Sequence, residues 1–70
     1  MDATKNQDAR AKYDASLEVF RAAARTYREV TEAYRAREIG DTDYLDARRT
    51  FGLAQEAADI AEAEYVAATR

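Results

Sequence analysis

Aromatic residues recur at a fixed interval in the first half of this chain. Tyr13, Phe20, Tyr27 and Tyr34 are each seven positions apart, with Leu17, Ala24 and Thr31 set between them. Steps of four and three trace one face of an α-helix. A strand cannot present them, because its side chains alternate with a period of two. The same rhythm resumes after an interruption: Tyr44, Ala47, Phe51, Ala54, Ala58, Ala61, Tyr65 and Ala68 again step by three and four. The spacing predicts an all-α chain, an antiparallel two-helix hairpin of coiled-coil character. Helix 1 runs over about 8–38, a turn over about 39–42, and helix 2 over about 43–69. In helix 1 the repeating position is aromatic; in helix 2 it is alanine, which lets two helix backbones approach closely.

The interruption reads Glu38-Ile39-Gly40-Asp41-Thr42. Gly40 suits the left-handed conformation that ends many helices, because it has no Cβ to clash. Ile39 is placed to fold over the end of the core. Asp41 or Thr42 is expected to cap the second helix, with Asp43 and Asp46 adding negative charge at its positive end. The first eight or so residues show no apolar rhythm and are expected to fray.

A chain of 70 residues is small for an independent core. Small scaffolds usually add disulfides, a metal or association with a partner. The chain has no cysteine and no histidine, which leaves association. Each helix also carries apolar residues outside its seam. Val19, Ala22, Ala23, Val30 and Ala33 lie on helix 1, and Leu45, Leu53, Ala57, Ile60 and Ala67 on helix 2. A hairpin covers one stripe per helix, so a wider apolar face implies a further partner. The candidate interface is Val19, Ala23, Val30, Leu45, Gly52, Leu53, Ala57 and Ile60. The simplest closed arrangement is a homodimer of hairpins forming a four-helix bundle.

No residue set points to catalysis, a cofactor or a metal. The tyrosines sit at seam positions, where aromatics serve as core. Asp41, Asp43 and Asp46 resemble a calcium loop only superficially, since Leu45 stands where a further oxygen ligand belongs. A di-iron bundle site needs Glu-x-x-His, and there is no histidine. Arg21, Arg25, Arg28, Glu32 and Arg35 form a charged stripe. It reads either as a patch for phosphate or an acidic partner, or as a solvated face pairing Arg25 with Glu29, Arg28 with Glu32, and Arg21 with Glu62. The net charge is −3, with +1 over residues 1–38 and −4 over 39–70. That is a weak footing for nucleic-acid binding. No apolar stretch reaches membrane-spanning length, and the N-terminus has no apolar signal region, so the cytoplasm is the expected location.

The second half carries a resemblance. Tyr34-Arg35-Ala36, Ile39-Gly40, the run Asp43-Tyr44-Leu45-Asp46-Ala47-Arg48-Arg49-Thr50, then Ala54-Gln55 and Ala61, Tyr65 and Ala68, is similar to a helical segment of the TolC-like outer-membrane efflux family. In that family such helices pack into a periplasmic tunnel beside barrel strands. This sequence departs from the pattern in length and in having no strand-like segment. The resemblance therefore implies a local style of helix packing and not efflux. The expected function is a non-enzymatic helical protein acting by self-association. The alternative is a small chaperone- or inhibitor-like subunit that binds a different protein through its second stripe.

Overall fold

The two seams meet along their whole length. The structure, a computed structural model, describes residues 3–70, with side chains from Asn6 onward. It contains α1 (Ala3–Arg35) and α2 (Asp41–Ala68), packed antiparallel with no strand among the described residues. The hairpin is a rod of 54 × 13 × 13 Å.

Both helices begin earlier than the periodicity indicates. α1 is already helical at Ala3, ahead of the start near residue 8 that the apolar pattern indicates. The expectation of a frayed start, where it concerns Met1 and Asp2, lies outside the described residues. Apolar rhythm reports packing, whereas a helix once nucleated extends one hydrogen bond per residue through good formers such as Ala3, Lys5 and Gln7.

The turn also differs from expectation. α1 stops at Arg35 rather than near residue 38. Its end is closed by two backbone bonds, Arg37 N–H to the Tyr34 carbonyl at 3.0 Å and Glu38 N–H to the Ala33 carbonyl at 2.9 Å. This is a Schellman closure, and its left-handed residue is Arg37 (φ 63°). Gly40 is extended instead (φ −93°, ψ −178°) and serves as the N-cap of α2 without a side chain to contribute. Asp41 and Thr42 therefore do not cap α2; Asp41 is its first residue. Asp41 and Asp43 occupy the first turn, where the helix dipole favours negative charge, and Asp46 falls beyond it.

Tertiary contacts decide this placement. The Tyr34 ring stacks on Tyr44 with centroids 4.6 Å apart, and its hydroxyl donates to Asp41 Oδ1 at 2.7 Å. With the start of α2 held beside Tyr34, the chain must reverse immediately after Arg35. The residue at the reversal takes the left-handed conformation whatever its type.

The interface is a zipper of rings. Phe20 stacks on Phe51 (5.3 Å), Phe51 on Tyr27 (5.2 Å), and Tyr27 leans on Tyr44 (5.9 Å), which meets Tyr34. Tyr13 stacks on Tyr65 at 5.5 Å nearer the open end. All five tyrosines and both phenylalanines of the chain thus lie between the helices. Ala54, Ala58 and Ala61 fill the gap between the two ring groups, and with Ala23 they are the buried residues, 6–9% exposed. Every other seam residue is half-buried. Among the described residues no side chain is fully enclosed, so the core is one layer of rings and methyl groups.

Two outcomes follow. Arg37→Gly removes a left-handed penalty of about 1 kcal/mol and should raise the melting temperature by several degrees in a thermal scan. Ala61→Glu forces a charge and added volume into the closest approach of the helices; helicity followed by circular dichroism should be largely lost at room temperature.

Candidate interaction surface

The two open sides of the rod differ in chemistry. On one side a groove of 660 Å³ runs between α1 and the first half of α2. Its α1 wall and turn end are apolar, with Val19, Ala22, Ala23, Val30 and Ile39; its α2 wall carries Asp43, Asp46 and Thr50. A second groove of 550 Å³, between Asp8 and Lys12 on α1 and Glu64 and Ala67 on α2, opens toward the free ends. Along α2 the sequence Asp46, Thr50, Leu53, Ala57, Ile60 and Glu64 steps by four and three. Leu53, Ala57 and Ile60 therefore bridge the two grooves on the same side.

The opposite side is polar. One groove there is walled by Arg28, Glu32 and Arg35 over Tyr27 and Phe51. Another is walled by Gln55, Asp59 and Glu62 beside Tyr13 and Phe20. The pairs expected within the arginine stripe, Arg25 with Glu29, Arg28 with Glu32 and Arg21 with Glu62, do not come within ion-pair distance. Among the described residues the pair that forms is Arg10 with Asp14, at 3.9 Å and well exposed. Long side chains in water gain little by holding one geometry.

The structure sorts the candidate interface residues into three groups. Val19, Leu53 and Ile60 are 59%, 59% and 57% exposed on the apolar side, with Ala57 between the last two. Ala23 is already covered within the hairpin and Val30 is half-covered. Leu45 and Gly52 turn away from this side, since Leu45 lies about 80° around α2 from Leu53. A Cβ added at Gly52 would meet nothing within 4 Å, so the hairpin itself places no close contact there. Sequence reasoning missed Thr26, Asp43, Asp46 and Thr50 as groove walls; their signal was the second run of four-three steps. It also placed Ile39 over the core end, whereas Ile39 lines the apolar groove. Val66, 46% exposed, belongs with Gln55, Asp59 and Glu62 on the polar side.

Between the helices, side-chain hydrogen bonds run along the ring edges. The Tyr27 and Tyr44 hydroxyls share a hydrogen bond at 3.2 Å, and Tyr13 donates to Glu62 Oε2 at 3.3 Å. Thr31 donates its hydroxyl back to the Tyr27 carbonyl at 2.7 Å. Three phenols are held above their ordinary 10.0: Tyr27 chiefly by its bond to Tyr44, Tyr34 by its bond to Asp41, and Tyr13 by desolvation with the Glu62 charge adding to it. Among the described residues no three acidic side chains converge to hold a metal ion, and no helix is long and apolar enough to cross a membrane. Comparison with known proteins finds no family, curated protein or solved structure that matches this chain.

The raised phenols set a pH dependence. The folded chain holds these protons more tightly than the unfolded chain. Their contribution is therefore complete below about pH 10 and is lost as pH rises through the folded-state values. Melting temperature should stay level from about pH 7 to about pH 9 and fall above about pH 10, and the fall should be shallower in Tyr34→Phe, whose partner Asp41 supplies the largest share of that residue's shift.

Proposed function

We propose that this protein acts without catalysis, by self-association of its apolar sides into a four-helix bundle. The observation that carries this reading is the exposure of Val19, Leu53 and Ile60 on one side, while the buried core consists of alanines. Side chains of this size stabilise a fold most when covered, and these three are left in water.

Area supports the same reading. A compact monomer of 7.9 kDa exposes about 4,400 Å², whereas this chain exposes 5479 Å². The excess of about 1,000 Å² is comparable to the roughly 800 Å² that each partner buries in a standard interface. The polar opposite side, with its arginines and carboxylates, is suited to remain the outer surface of such a bundle. The likeness of the second half to TolC-like helices then reflects the packing habit of alanine-rich antiparallel helices.

Sedimentation equilibrium over a wide concentration range, with circular dichroism on the same samples, tests the proposal. The expected result is a helical dimer that loses helicity as it dissociates. Ile60→Glu should shift the chain to monomer, and Val66→Glu, on the polar side, should not. A fully helical monomer at every concentration would sink the reading and turn attention to a different protein as the occupant of the apolar side.

A further inference from the structure

Each helix carries a second seam on the apolar side. On α1 it runs Asp8, Lys12, Ala15, Val19, Ala22 and Thr26; on α2 it runs Asp46, Thr50, Leu53, Ala57, Ile60 and Glu64. The ring stacks Tyr13 with Tyr65 and Phe20 with Phe51 set which positions lie level across the hairpin. Between those rungs the level partners are Lys12 with Glu64, Ala15 with Ile60, Val19 with Ala57, Ala22 with Leu53, and Thr26 with Thr50. At three successive levels one helix offers a large apolar residue and the other a small one, the charged level pairs a cation with a carboxylate, and only at the turn end does Val30 lie level with Asp46.

The geometry points to a specific dimer, resting on the self-association reading above. A second copy docks with its α2 over this chain's α1, both turns at the same end, about a two-fold axis parallel to the helices. That axis lays each α1 on the partner's α2 at the same level. Ile60 and Leu53 then enter the spaces over the partner's Ala15 and Ala22. Val19 enters the space over the partner's Ala57, and Lys12 meets the partner's Glu64. Large-into-small contacts of this kind pack a bundle core without voids, and neighbouring helices stay antiparallel throughout.

A head-to-tail alternative, with the two-fold axis across the rod at the level of Ala22 and Leu53, matches less well. That axis brings Leu53 against the partner's Leu53 and Ile60 against the partner's Asp46. It also sets Glu64 near the partner's Asp43. Val30 lies level with Asp46 in the first arrangement as well, so what separates the two is the approach of two carboxylates, which opposes association.

The absence of cysteine from the chain makes cross-linking a clean test. Lys12→Cys and Glu64→Cys chains of different tag mass are mixed and oxidised, and Lys12→Cys is mixed in parallel with Ala33→Cys. A disulfide needs Cα atoms within about 7 Å, so only the correct juxtaposition links. The expected product is a mixed Lys12→Cys with Glu64→Cys dimer, at least tenfold over any link to Ala33→Cys. Linking to Ala33→Cys instead would show head-to-tail packing and overturn the arrangement. A dimer by sedimentation that links in neither mixture would also overturn it. A chain that sediments as monomer removes the self-association reading and this arrangement with it.

Discussion

The stack of Tyr34 on Tyr44, tied by the Tyr34 hydroxyl to Asp41, sets the register of the whole molecule. It joins the last aromatic of α1 to the first turn of α2, so it fixes where α1 can end and at what height α2 starts. Every rung below it inherits that height. Tyr27 reaches both Tyr44 and Phe51, Phe51 reaches Phe20, and Tyr13 reaches Tyr65. Offset stacking of this kind adds roughly 0.5–1.5 kcal/mol per pair beyond simple burial. In a rod one ring thick, it is the main source of specificity for one register over its neighbours.

The seams were legible in the sequence because packing on one face of a helix imposes a period on residue type. Tyr13 to Tyr34 and Tyr44 to Ala68 all lie at least half-covered between the helices. The turn was not legible in the same way. Gly40 is the obvious candidate for a left-handed residue, but the reversal falls on Arg37 because Tyr34 and Asp41 meet. A contact between helices overrides a local preference worth about 1 kcal/mol. The start of α1 was missed for a different reason: propensity carries a helix past the point where its apolar pattern stops.

The candidate surface was legible in composition and only partly in layout. Apolar residues outside the seams marked a second face, and Val19, Leu53, Ala57 and Ile60 do lie toward one side. Leu45 and Gly52 do not, because 3.6 residues per turn rotates positions eight apart out of line. The acidic wall of Asp43 and Asp46 depends on which flank of α2 faces the groove, and that emerges only once the rings fix the rotation of the helices. The two sides of the rod are thus a consequence of the zipper, although no zipper residue is part of the apolar surface proper.

Because the rungs repeat every seven residues, the hairpin behaves as a ruler with graduations. Removing or adding seven residues in both helices at one height changes the rod by about 10.5 Å and returns every remaining ring to its partner. The turn and the character of both sides are left unaltered. Removing a single residue from one helix has no such compensation: it rotates all later rings by about 100° out of the interface. The molecule is in this sense tolerant of large symmetric changes in length and intolerant of the smallest asymmetric one.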